Sequence, residues 1–115
     1  MEAEFNLTSE INNDCLVLKT DGYVNNYGGE QISNEFNKHF KNGIKKVVIS
    51  LAKSKVVNSI GISFMIEIIE QLNEVNGKLY FTDMDSSIEK TLTIMGLFSY
   101  AGKASTIDEA IKSLN

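Results

Sequence analysis

Val56-Val57-Asn58-Ser59-Ile60-Gly61-Ile62 is the stretch on which the reading of this chain turns. An Asn-Ser pair ahead of an apolar periodic run is a helix-start signal, because either side-chain oxygen can accept from the free backbone N–H groups of a first turn. Glycine within that turn lets another backbone approach closely. Further on, Met65, Ile68, Ile69, Leu72 and Val75 form one helical face, with Glu67, Glu70, Gln71 and Glu74 opposite. Asn76-Gly77 closes the helix. Upstream, Val47-Val48-Ile49-Ser50-Leu51 is apolar on consecutive residues, as in a strand covered on both faces. The segment is a strand, a short loop and a long helix.

Working outward, Phe5, Leu7 and Ser9 alternate with polar residues, and Asn12-Asn13-Asp14 is a turn signal before the run Cys15 to Leu18. These predict a hairpin, ended by Asp21-Gly22. Ile32, Phe36 and Phe40 give one face of a helix over 27–40, closed by Asn42-Gly43. Gly28-Gly29 reads as a flexible strand-to-helix loop. Lys78 to Thr82 is the next strand. Asp85-Ser86-Ser87 begins a helix carrying Ile88, Leu92 and Met95, with Glu89 placed to complete a capping box from Ser86. Gly96 ends it. Residues 97–106 read as irregular or as a weak edge strand, and a last helix starts at Thr106 or Asp108 and carries Ala110, Ile111 and Leu114. The predicted fold is α/β: a mixed central sheet of about four to five strands flanked by about four helices, in one domain spanning 1–115.

Composition limits the function classes. The 115 residues are 43% hydrophobic and 23% charged, enough to bury a core without staples. The formal net charge of −4 speaks against nucleic acid or an anionic membrane surface as a general partner. Lys38, Lys41, Lys45, Lys46, Lys53 and Lys55 read as a solvated face. No apolar run is long enough to span a bilayer, so no membrane insertion is expected. Met1 to Phe5 lacks the basic start and apolar core of a secretory signal, and a cytoplasmic location is expected. Cys15, the single cysteine, lies in an apolar run and reads as a buried, inert thiol.

Catalytic chemistry is sparse. His39 is the only histidine and sits mid-helix beside Lys38, so it reads as solvated, and neither a histidine metal site nor a triad is expected. There is no CxxC, P-loop or GxGxxG. Asp83 and Asp85 follow a strand as in receiver domains, but such a domain also needs an acidic pair near the first strand and a lysine after the last, and the order of elements here differs. No enzyme activity, metal or cofactor is expected. A helix N-terminus at Ser59, in contrast, tolerates a phosphoryl group, since the dipole and free N–H groups favour negative charge.

These residues resemble the STAS domain of anti-sigma-factor antagonists, in which an apolar strand and a short loop precede Asp-Ser-Ser/Thr-Gly-Leu at the start of a long helix. Here the matching run is Asn58-Ser59-Ile60-Gly61-Ile62. Asp21-Gly22-Tyr23-Val24 is similar to the family's Gly-x-hydrophobic segment. Ile94-Met95-Gly96-Leu97-Phe98 resembles its Met-x-Gly-Leu stretch, and Thr106-Ile107-Asp108-Glu109-Ala110-Ile111 its final helix. The resemblance implies an anti-sigma-factor antagonist in a partner-switching circuit. An anti-sigma factor that is also a serine kinase would bind it and phosphorylate Ser59, and a PP2C-type phosphatase would reverse the modification. The implied docking surface is Asn58, Ser59, Ile60, Gly61 and Ile62, with Asp21, Tyr23 and Asn25 from the neighbouring loop. A homodimer is compatible with this reading.

Two positions depart from the pattern. Asn58 replaces the family's Asp and lacks its charge, and Ile60 places a bulky apolar group at a normally small polar site. Both fit an alternative, an unphosphorylated STAS accessory or scaffold subunit, for example of a lipid-transport ABC system or a signalling assembly.

Overall fold

The computed structural model describes residues 5–115. In chain order they form β1 (Asn6–Asn12), β2 (Cys15–Asp21), α1 (Asn26–Phe40), β3 (Lys46–Lys53), α2 (Ser59–Glu74), β4 (Lys78–Thr82), α3 (Ser86–Ile94), a 3-10 turn (Leu97–Ser99), β5 (Gly102–Ala104) and α4 (Ile107–Leu114). The strands make one sheet in the order β1-β2-β3-β4-β5. β1 is antiparallel to β2, and all other neighbours are parallel. This is the expected mixed α/β architecture, and the weak edge strand is β5.

The hairpin has a local cause. Asn13 and Asp14 both take positive φ (52° and 67°), giving a two-residue turn whose twist matches the strands it joins. The continuous apolar runs have a tertiary one. Leu16, Leu18, Val47, Ile49, Leu79 and Phe81 meet Ile32, Phe36, Met65, Ile68, Leu72, Ile88 and Leu92 from α1, α2 and α3 in one core. Cys15, Val17 and Val48 point to the other face, where α4 sets Ala110, Ile111 and Leu114 against them. Side chains of a strand alternate between faces, so a strand covered on both sides is apolar at every position. Cys15 is buried as expected, and burial pushes its thiol pKa up.

Four local expectations change. Gly28 and Gly29 belong to the first turn of α1 and are buried. A β-carbon on Gly29 would lie 2.6 Å from Cδ2 of Phe64, and one on Gly28 2.8 Å from the Tyr23 carbonyl oxygen. This pair is therefore a close-packing device between α1 and its neighbours. The Ser86–Glu89 capping box does not form, because Asp85 caps α3 by accepting from the Ile88 N–H at 2.8 Å. Glu89 instead accepts from Lys103 Nζ at 2.7 Å, which ties α3 to β5. Met95 is the C-cap of α3 and half exposed, since the helix ends before its apolar stripe is complete. His39 is half-buried, with Nε2 3.1 Å from Glu35 Oε2.

Candidate docking site

The site is built where β2 and β3 hand over to the helices that follow them. The two connecting loops are stitched side by side. Gly22 N–H donates to the Lys53 carbonyl at 3.0 Å, Val24 N–H to Val56 at 3.0 Å, and Asn58 N–H to Val24 at 3.1 Å. Val24 and Val57 form an isolated parallel bridge that extends the sheet pairing beyond the strands. Each loop then ends in an asparagine cap. Asn25 Oδ1 accepts from the Gly28 N–H at 3.0 Å, and Asn58 Oδ1 accepts from the Gly61 N–H at 2.8 Å. Both caps have extended backbone, as capping requires.

Gly61 is where the loops and α2 lock. A β-carbon there would run into the Val24 carbonyl group. Val24 and Gly61 are buried and Ile62 belongs to the core, so these residues fix the position of α2 and present little surface. Ser59, the first residue of α2, is exposed, as is Ile60 beside it at 52%. On the neighbouring loop Asp21 and Tyr23 are exposed and Asn25 is half-buried. Of the eight residues expected to make the surface, Asn58, Ser59, Ile60, Asp21, Tyr23 and Asn25 reach it at this end of the sheet, whereas Gly61 and Ile62 lie beneath it.

Two further residues join this end. Tyr27 and Val56 are each about half exposed, at 53% and 52%. Tyr27 lies off the Gly28–Ile32–Phe36–Phe40 stripe of α1, and that offset is a signal legible in the sequence. Val56 could not be separated from Val57 without the bridge that turns Val57 inward.

Neither α1 nor α2 carries an acidic residue in its first turn. The positive ends of both dipoles therefore meet this surface without a carboxylate from their own helices to offset them. The result is a hydroxyl on a rigid helix start, with exposed apolar and aromatic groups on the same end of the molecule. Such a surface suits contact with another protein, and a charge placed on the hydroxyl would be tolerated by the fold. Among the described residues no cluster of His, Cys, Asp or Glu is arranged to hold a metal ion, and no helix is long and apolar enough to cross a membrane.

Residues 6–110 match the STAS domain model, and the chain belongs to the STAS domain family. BtrV of Bordetella bronchiseptica, provisionally named an anti-sigma factor antagonist, is 25% identical over 93 residues, covering 81% of this chain and 80% of its own length. A crystal structure from Thermotoga maritima, of a protein given the same provisional description, superposes with a TM-score of 0.86 at 16% identity, over 94% of this chain and 93% of that one. The phosphorylated form of SpoIIAA, a Bacillus cell fate determinant, superposes with a TM-score of 0.74 at 18% identity, over 97% and 100% of the two chains. At these identities the two structures speak for the fold.

Proposed function

We propose that the protein is an anti-sigma-factor antagonist whose Ser59 end docks a kinase-type anti-sigma factor, and that phosphorylation of Ser59 by that kinase ends the docking. The observation that carries this reading is the placement of Ser59. It is exposed on the first residue of a capped helix, next to an exposed apolar side chain. In the transfer, Ser59 Oγ attacks the γ-phosphorus of ATP held by the partner, the bond to ADP breaks, and the hydroxyl proton passes to a base on the kinase. The added charge of about −1.5 to −2 is favourable at the helix end and unfavourable against a partner surface shaped for Ile60, Val56 and Tyr23. A PP2C-type phosphatase hydrolyses the ester and restores the docking form. The chain itself supplies no catalysis and needs no cofactor, and the circuit operates in the cytoplasm. The name of BtrV and the existence of a phosphorylated SpoIIAA support the assignment.

The test is binding and phosphorylation with the cognate anti-sigma kinase. Ser59→Ala should bind like wild type and gain no phosphate. Ser59→Asp should bind about tenfold or more weakly, as expected for an uncompensated charge in a desolvated contact. Equal binding of Ser59→Asp and wild type would sink the switch.

One observation favours a second reading, a STAS subunit docked constitutively on an ATPase or another STAS protein. Ile60 offers an exposed apolar contact where a small polar residue would serve a charge switch better. In that case protein isolated from its host carries no phosphate on Ser59 under growth or stress, and Ile60 variants lose the partner.

A further inference from the structure

β1 is an edge strand seven residues long, whereas the opposite edge, β5, has three. Edge strands are usually blunted by proline, lysine or a bulge. β1 contains neither residue, and its pairing with β2 runs without a register shift from Asn6 to Asn12. The side of β1 that no strand among the described residues pairs has a definite pattern. Asn12 and Cys15 close the two-residue turn as a hydrogen-bonded pair, so the backbone groups of Asn6, Thr8, Glu10 and Asn12 point to β2. By alternation, those of Leu7, Ser9 and Ile11 point outward.

The strand is also self-complementary about its centre. Reading outward from Ser9, Thr8 matches Glu10, Leu7 matches Ile11, and Asn6 matches Asn12. Ile11 is 51% exposed, although Leu7 and Ser9 on the same face lie towards α1. We propose that β1 pairs with β1 of a second copy of this chain, antiparallel and centred on Ser9, so that the two five-stranded sheets become one. In that register Ile11 faces Leu7 of the second copy, and the outward backbone groups of Leu7, Ser9 and Ile11 all find partners. Glu10 is the only charged residue of β1, and it faces a threonine of the second copy instead of another carboxylate. On α1 above, Glu35 accepts from Ser9 Oγ at 2.6 Å and from Lys38 Nζ at 3.2 Å. The two-fold axis through Ser9 thus brings two carboxylates together with two ammonium groups.

Seven residues a side is a small interface, so the dimer is reversible and concentration-dependent. Asn6 pairs with Asp21 at the docking end of the sheet, so antiparallel pairing leaves the two Ser59 ends pointing in opposite directions and free. The dimer therefore stands independently of the function proposed above.

Sedimentation velocity on the full chain over a concentration series tests it. Wild type should pass from monomer to dimer as concentration rises. Ser9→Pro removes an outward N–H without breaking the β1–β2 ladder. It should weaken the dimer by about 30-fold, the effect of two backbone hydrogen bonds. Ile11→Lys, at an exposed position, should weaken it too and serves if the proline variant misfolds. Under mild oxidation Ser9→Cys should cross-link, because the α-carbons of a bonded antiparallel pair lie about 5.5 Å apart. Thr8→Cys should not, since two residues 8 lie diagonally. A wild type that stays monomeric, a dimer indifferent to both Ser9→Pro and Ile11→Lys, or equal cross-linking at positions 8 and 9 would each overturn the proposal.

Discussion

Gly61 lies against the carbonyl of Val24 so closely that the backbone of α2 and the loop after β2 leave no room for a β-carbon. The same carbonyl accepts from the Asn58 N–H at 3.1 Å. One buried peptide group therefore sets both the start of α2 and its distance from the sheet, and the exposed edge of that arrangement carries Ser59 and Ile60.

Gly61→Ala should destabilise the fold, because the new methyl can be accommodated only by moving α2 off the loop. Overpacking of this kind costs about 1–3 kcal/mol. Urea unfolding measures it. An unchanged midpoint would mean that the two segments are free to separate.

Asn58→Ala removes the acceptor for the Gly61 N–H and should cost about 1 kcal/mol, whereas Asn58→Asp keeps the cap. Asn25→Ala should behave like Asn58→Ala, since it leaves the Gly28 N–H unpaired. If both alanine variants unfold at the wild-type urea midpoint, the caps contribute nothing.

Ile60→Lys changes a half-exposed side chain and should leave stability within about 0.5 kcal/mol. Binding of the proposed partner should fall sharply, because the charge enters the surface proposed to dock it. Thermal unfolding and titration calorimetry on the same sample separate the two effects.

The hydrogen bond from Ser9 holds the Glu35 carboxyl below the usual glutamate pKa, with smaller help from His39 and Lys38. A depressed carboxylate contributes stability that is complete above its unfolded pKa, about 4.3, and is lost as pH falls through the lower folded value. Ser9→Ala should therefore be less stable than wild type at neutral pH, with the difference shrinking at acid pH. Urea midpoints across that range test the sign.

Cys15 should be unreactive towards a maleimide in the native protein and react at the free-thiol rate once unfolded. It is buried between β2 and α4, and burial disfavours the thiolate that does the chemistry. Labelling followed by mass spectrometry decides it.

Much of this was legible in the sequence because it is local. The cap at Asn58 needs only a polar oxygen three residues before a free N–H, and the hairpin needs only residues that tolerate positive φ at 13 and 14. The strand 47–51 announced its two-sided burial by losing the alternation of polar and apolar residues. The STAS likeness rests on the same local signatures in order along the chain.

What stayed hidden depends on pieces far apart in sequence. Glu89 is well placed to serve a capping box from Ser86, yet it pairs with Lys103, fourteen residues away, because Asp85 had already satisfied the helix start. Gly28-Gly29 has the composition of a loop, and only the presence of Phe64 across the helix pair makes it a packing surface.

Propensity, capping and periodicity act within a few residues, so most elements, their order and the position of Ser59 at a helix start follow from the chain alone. Which side of that start faces solvent depends on packing between distant segments. Ile60 and Ile62 are equally apolar in the chain. Two residues of helix turn one outward at 52% exposure and the other into the core at 2%, and what covers Ile62 is a sheet built from strands distant in sequence.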